Sequence, residues 1–228
     1  MFVRRLFLGY LLRPAAEYDG IGPRAEPVFG YVVQRAEGLI LFDTGIGEAD
    51  RETETHYRLH RRPLRDAMRA AGVDLADVSL VANCHLHFDH CGGNPLFPLT
   101  PIVAQRVEVQ TAHAGGYTID KLVDFPGVRF EQLDGEAEIW PGVWIIPTPG
   151  HTEGHQSLVV MQRDGTLVLA GQAYDFASEF ASAELGRRAV FDGMAEPLPD
   201  FRPWLGRLLA FAPRRVVFAH DAAVWEPV

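Results

Sequence analysis

Apolar residues along this chain either alternate with polar ones or run without a break over short stretches, and that period marks strands more often than helices. Strands are expected at residues 2–12, 28–34 and 39–42. A polar stretch bearing proline and glycine, residues 13–27, separates the first two and is long enough to shape a pocket rim. Residues 48–62 are rich in charge and read as a helix. Pro63 then opens a second helix with Leu64, Ala67, Met68 and Ala71 on one face, stopped by Gly72. The apolar run from Val78 to Cys84 predicts another strand, followed by a short strand at Ile102 and Val103 and a helix over 106–113. Strands follow at 128–133, 137–140, 143–147, 157–162 and 167–170, with hairpin turns at Trp140-Pro-Gly-Val-Trp144 and Arg163-Asp-Gly165. Helices over 176–185 and 200–211 precede a last strand at 215–219. There is no short-period repeat. The layout predicts one α/β domain over residues 1–228, built from two similar strand-rich halves, about 1–115 and 116–228, each with helices to cover one sheet face.

The strand ends carry the chemistry. Residues 85–90 read His-Leu-His-Phe-Asp-His, directly after an apolar run. Imidazole and carboxylate are costly to bury unless something offsets their desolvation, and a divalent metal does so directly. Past a strand end His85 and His87 can turn the same way onto one ion, while Asp89 and His90, adjacent in a turn, face a second. Surface histidines on a loop are the competing reading. Three further strands each deliver a polar residue at their ends: His151 after Ile145-Ile-Pro-Thr-Pro-Gly150, Gln172 after Leu167-Val-Leu-Ala-Gly171, and His220 after Val216-Val-Phe-Ala. A preorganised site is built this way.

Composition narrows the partners. Apolar content of 47% and charged content of 22% are ordinary for a soluble globular protein. A formal net charge of −9 argues against nucleic acid or an anionic membrane and leaves a small-molecule substrate. With only Cys84 and Cys91, both flanking the histidine motif, a disulfide framework is not expected; small buried residues in a reducing cytoplasm are. The N-terminal apolar run is too short for an export signal and reads as a first strand. No stretch reaches membrane-spanning length. His56 and His60, one helical turn apart, read as a solvated helix face, as does the cluster Arg58, Arg61, Arg62, Arg65 and Arg69.

The series Asp43-Thr-Gly, His85-Leu-His-Phe-Asp-His-Cys-Gly-Gly, Thr148-Pro-Gly-His-Thr-Glu-Gly-His155, Gly171-Gln172 and His220 resembles the metallo-β-lactamase superfamily, in order and across nearly the whole chain. Gly38-Leu-Ile-Leu-Phe-Asp-Thr-Gly45, the Phe88-Asp-His-Cys-Gly-Gly-Asn94 continuation and Ala219-His-Asp221 resemble its N-acyl-homoserine lactonase branch. The resemblance implies an αββα sandwich of two mixed sheets with helices on the outer faces and a site along the sheet edge. It implies Zn2+, one ion firmly bound with a second possible beside it, and other divalent transition metals are also compatible. His85, His87 and His151 would hold the first ion, and Asp89, His90 and His220 the second. A zinc-bound hydroxide would then attack the carbonyl of a small lactone or ester, with an N-acyl-homoserine lactone as the favoured substrate. Asp89 would ligate or carry a proton, and Tyr174 would help stabilise the oxyanion. Asp43, His155 and Asp221 would support the ligand imidazoles by hydrogen bonds. Tyr18, Ile21 and the segment 174–180 are candidates for an acyl-chain channel. A homodimer is compatible with the pattern.

One position departs from the family. Gln172 stands where a bridging aspartate is usual, and a neutral amide oxygen offsets the repulsion of two cations less well than a carboxylate. The second ion should be weakened more than the first, with Asp175 as a substitute ligand. Tyr174 also follows Gln172 more closely than the family's tyrosine follows its aspartate. The alternatives are a glyoxalase-II-like thioesterase, whose usual C-terminal helical domain finds no room in this length, and a catalytically impaired metal-binding module. A diiron redox protein on the same fold would carry Glu where His87 stands.

Overall fold

The computed structural model describes residues 2–18, 20–196 and 202–227. The chain divides into two compact units, Met1–Asp134 and Gly135–Val228. The first contains β1 (Phe2–Arg13), β2 (Arg24–Gln34), β3 (Leu39–Phe42), α1 (Arg51–Tyr57), β4 (His60–Arg61), α2 (Leu64–Ala70), β5 (Val78–Ala82), β6 (Ile102–Gln105), α3 (Arg106–His113) and β7 (Phe130–Leu133). Its strands form one mixed sheet in the order β4-β1-β2-β3-β5-β6-β7. The β1–β2–β3 meander is antiparallel, whereas β3, β5, β6 and β7 run parallel. Parallel neighbours need crossovers: α1 and α2 lie between β3 and β5, α3 lies between β6 and β7, and the segment 83–101 joins β5 to β6. Every residue of β3 is buried, so its continuous apolar run Leu39-Ile-Leu-Phe42 suits a strand covered on both faces. Leu6, Leu8, Val32, Leu41, Met68 and Val81 belong to the core on one side of this sheet.

Two local expectations are corrected here. β2 begins at Arg24, not at residue 28, because β1 and β2 pair from Phe2 opposite Gln34 to Arg13 opposite Arg24, with one register shift between Phe7 and Gly9. Arg24 and Glu26 extend the arm although they are polar, with Arg24 Nε donating to Glu26 Oε1 at 2.7 Å. The charged stretch is not one helix. Asp50 caps α1 by accepting from the Thr53 amide at 2.8 Å, and Arg58 ends it in the left-handed region at φ 47°. The chain then returns as β4 and pairs with Gly9 and Tyr10 of β1. A side chain on Gly9 would meet the His60 carbonyl oxygen at 2.0 Å, so only glycine lets β4 approach. His56 and His60 therefore share no helix face: His56 Nε2 lies 2.6 Å from Glu17 Oε1, and His60 stacks on Tyr10 with ring centroids 4.6 Å apart.

The second unit contains β8 (Ala137–Trp140), β9 (Val143–Pro147), β10 (Gln156–Gln162), β11 (Gly165–Leu169), α4 (Ala177–Phe191), α5 (Trp204–Leu209), β12 (Pro213–Val217) and β13 (Val224–Trp225). The sheet order is β13-β12-β11-β10-β9-β8. All neighbours are antiparallel except β11 and β12, whose connection holds α4 and α5. Phe180, Leu205, Leu208, Val168, Val216 and Phe218 pack together in its core. Several elements differ from expectation. Helix α4 continues to Phe191, β12 stops at Val217 so that residues 218–220 form a loop, and β13 adds an edge strand of only two residues. Residues 200 and 201, expected to start the last helix, lie outside the described residues. Two mixed sheets with accompanying helices make this an α/β protein, as the sequence predicts. Among the described residues no helix is long and apolar enough to cross a membrane.

Candidate metal centre

In the first unit the parallel strands β3, β5 and β6 end side by side, with Phe42 opposite Ala82 and Ala82 opposite Val103. The carboxyl ends of such strands are where α/β sheets present their ligand-binding loops. Asp43 leaves β3, and the loop from Asn83 to Asn94 leaves β5. Asp43 is buried and sits in the left-handed region at φ 59°, a conformation that aspartate tolerates better than most side chains. Its Oδ1 accepts from the Cys84 amide at 2.8 Å, and its Oδ2 lies 3.1 Å from His90 Nδ1. That contact makes Nδ1 the protonated nitrogen and leaves the Nε2 lone pair of His90 available, the arrangement typical of a metal-ligating histidine. Asp89 Oδ2 stands 3.5 Å from that same Nε2.

The other two histidines of the motif join this group. His85 and His90 are fully buried, their ring centroids 4.1 Å apart, and His87 is half-buried. His85 Nε2 faces His87 Nδ1 at 2.9 Å. Two nitrogens at about 2.0–2.1 Å from one tetrahedral ion stand roughly 3.3 Å apart, so this facing pair is close to chelating separation. A buried loop holding three imidazoles and a carboxylate fits a divalent transition ion as a donor set.

Side chains not singled out from the sequence hold the loop in shape. Thr44 donates its amide to the His90 carbonyl at 2.7 Å, and Asn83 Nδ2 donates to the same oxygen at 3.0 Å. Asn94 Nδ2 donates to Asn83 Oδ1 at 2.9 Å, while its own Oδ1 lies 2.9 Å from Thr44 Oγ1. Glu108, buried in α3, accepts from the Leu86 amide at 2.7 Å and from the Tyr117 hydroxyl. The Tyr117 ring in turn packs 4.5 Å from His87, centroid to centroid. Gly92 allows the two loops to touch, since a side chain there would stand 1.9 Å from the Gly47 nitrogen. The polar residues in the Asp43-Thr and Gly-Asn94 motifs are the signal for this network. Glu108, one acidic residue in an ordinary helix, carries none. Burial pushes the Cys91 thiol up, consistent with a packing residue.

The second unit also collects its polar residues at one sheet end. Pro147 lies opposite Gln156, Leu158 opposite Leu169, and Leu169 beside Val217, so the loops bearing His151, Gln172 and His220 leave the same end. His151 is exposed on the turn after β9, whereas Gln172 and His220 are buried. His155 joins these loops. Its Nδ1 lies 3.1 Å from the Thr148 carbonyl and 2.8 Å from Thr148 Oγ1, and its Nε2 accepts from the Gln172 amide at 3.0 Å. Both ring nitrogens are engaged, so His155 places the Gln172 backbone. Gln172 Nε2 donates to Asp175 Oδ1 at 3.2 Å, which directs the amide oxygen the other way.

Two further expected residues make contacts within their own unit. The Asp221 oxygens accept from the backbone amides of Ala177 and Ala223, each at 2.9 Å, so this carboxylate ties the start of α4 to the segment bearing His220. The Tyr174 ring packs into the core of its unit, 5.9 Å from Phe180 and 5.6 Å from Trp204, with the Arg202 guanidinium 4.6 Å over its face.

Known proteins share both sequence and fold with this chain. The family model of the metallo-beta-lactamase superfamily matches residues 23–220. The N-acyl homoserine lactonase of Bacillus cereus is 33% identical over 155 residues, 63% of this chain and 62% of the relative. The chain thus spans about 62% of the length of that curated relative. Among solved structures, an N-acyl homoserine lactone hydrolase with the product N-hexanoyl-L-homoserine at its catalytic metal centre gives a TM-score of 0.71 at 24% identity, covering 96% of this chain and 93% of that one. AidC, a dizinc quorum-quenching lactonase, gives 0.66 at 17% identity, covering 98% and 89%. The likeness to these structures shows the metallo-β-lactamase fold.

Proposed function

This chain belongs to the metallo-beta-lactamase superfamily, and from that premise we propose that it is a metal-dependent hydrolase of small lactones, with N-acyl-homoserine lactones as the favoured substrate class. The observation that carries the reading is the facing nitrogen pair of His85 and His87 beside a His90 imidazole braced by Asp43. The relatives' names support the lactone substrate. We assign His85, His87 and His151 to a first zinc ion and Asp89, His90 and His220 to a second, with Gln172 between them. When bound, such an ion supplies Lewis acidity and lowers the pKa of coordinated water to near 7.

The chain's own residues supply the rest. Asp43 holds the His90 tautomer, and the Thr44–Asn83–Asn94 network fixes the loop before substrate arrives, which lowers the reorganisation the reaction requires. Asp89, largely buried, takes up a proton from the attacking water and returns it to the leaving alkoxide. Tyr174 would donate to the developing oxyanion. A small-molecule partner and a reducing cytoplasm suit an acidic chain with two free, buried cysteines.

Gln172 favours a second reading, a metal-binding module that turns over poorly, because the neutral amide leaves the second ion without a shared carboxylate. The test is elemental analysis of the purified chain together with hydrolysis of lactone and thioester panels. Stoichiometric metal with lactone opening is expected. Stoichiometric metal with no hydrolysis would support the module, and thioester cleavage without lactone opening would move the substrate class.

A further inference from the structure

The Cys84 sulfur occupies an unusual place among the histidines. It is fully buried, lies 3.1 Å from His85 Nδ1 and 3.3 Å from His90 Nδ1, and its own backbone amide is held by Asp43 Oδ1 at 2.8 Å. One sulfur thus touches an imidazole from each of the two assigned metal sets. In both rings it meets the nitrogen turned away from the metal-facing side: His85 presents Nε2 to His87, and His90 presents Nε2 to Asp89. The separations suit hydrogen bonds to sulfur, which run longer than those to oxygen.

We propose that Cys84 is a positioning residue for the metal centre, accepting from the His85 Nδ1–H and so fixing the tautomer in which Nε2 carries the lone pair. The proposal rests on the metal-dependent reading above. A neutral imidazole exchanges its proton between two nitrogens, and only one of the two tautomers can ligate through Nε2. For His90 the Asp43 carboxylate makes that selection. His85 has the sulfur at the equivalent nitrogen, and because Asp43 anchors the Cys84 backbone, one carboxylate orders both rings. A serine at this position would set its oxygen closer to its own Cα, with a shorter reach to either ring. An alanine would offer no acceptor.

The test is long-range 15N–1H correlation spectra of the full-length, metal-free chain, followed by zinc affinity from chelator competition, for wild type, Cys84→Ala and Cys84→Ser. Wild-type His85 and His90 are both expected to carry the proton on Nδ1. In Cys84→Ala, His85 is expected to become a mixture of tautomers while His90 keeps Nδ1–H. Affinity for the first zinc should fall about 10–100-fold, the range typical for lost outer partners of a metal ligand. Cys84→Ser should recover part of that loss. A wild-type His85 protonated on Nε2 overturns the proposal without any variant, as does a Cys84→Ala protein with unchanged His85 tautomer and unchanged affinity. If the wild type takes up no zinc, the metal-dependent reading fails, while the tautomer of His85 still decides the role of Cys84.

Discussion

The two units treat their polar strand ends differently. In the first, every histidine of the loop after β5 is surrounded by fixed partners: Asp43 and Cys84 on the far nitrogens, Thr44 and Asn83 on the His90 carbonyl, and Tyr117 against His87. In the second, His151 is exposed on its turn, and the buried polar residue at the end of β11 is a neutral glutamine held by His155 and Asp175. The contrast separates two requirements of a metal site. The first unit supplies preorganisation, with ring orientations set by buried hydrogen bonds. In the second, a neutral amide stands at Gln172, where the family's carboxylate is usual. On the proposed ligand assignment, the loss of the usual carboxylate at Gln172 is expected to weaken the second ion more than the first.

The largest effect should come from breaking the preorganised side. His85→Ala removes a ligand and opens a buried space beside His90, and is expected to lower lactone hydrolysis by more than about 100-fold, beyond the range for outer partners. Zinc content measured on the same sample should fall with it. Asp43→Asn comes next. Asparagine tolerates the positive φ and keeps an oxygen for the Cys84 amide, but it turns an Nδ2 donor toward His90 Nδ1, so the change removes the acceptor that selects the His90 tautomer. A loss of about 10–100-fold in zinc affinity is expected from chelator competition, and an affinity equal to wild type would remove Asp43 from the account.

Sharpening the weaker side should work in the opposite sense. Gln172→Asp restores a shared carboxylate, and elemental analysis should show the second ion rising toward full occupancy. Unchanged stoichiometry would mean that charge at this position is not what limits the second ion. The smallest effect is expected for Asp221→Ala, which deletes acceptors for two backbone amides. It should cost about 1 kcal/mol in thermal or denaturant unfolding, as for a lost helix cap, and leave zinc affinity unchanged. A large fall in affinity instead would return Asp221 to the ligand-orienting role.

The same contrast explains what could be read from the sequence. Strand ends are legible because apolar runs stop abruptly at Ala82, Leu169 and Val217 and polar residues follow within a few positions. The two sheets and most of their strands follow from local periodicity. Features that depend on distant pairing are not legible this way. The early start of β2, the short β4 and the two-residue β13 exist because a neighbouring strand accepts them, not because of their own propensity. The split of the charged stretch turns on one left-handed residue, Arg58, which carries no glycine signal. In the candidate site, residue types that ligate metals announce themselves, whereas those that orient them do not. Asp43 and Asp221 look alike in sequence, yet one braces an imidazole and the other ties two backbone segments together. Cys84 reads as small and buried until its sulfur is seen between two rings.

The most direct test of the central claim is an anomalous-difference map at the zinc edge from crystals of the purified chain. The account predicts a peak at about 2.0–2.1 Å from both His85 Nε2 and His87 Nδ1. A map with zinc in the crystal but no peak between those two nitrogens would contradict it.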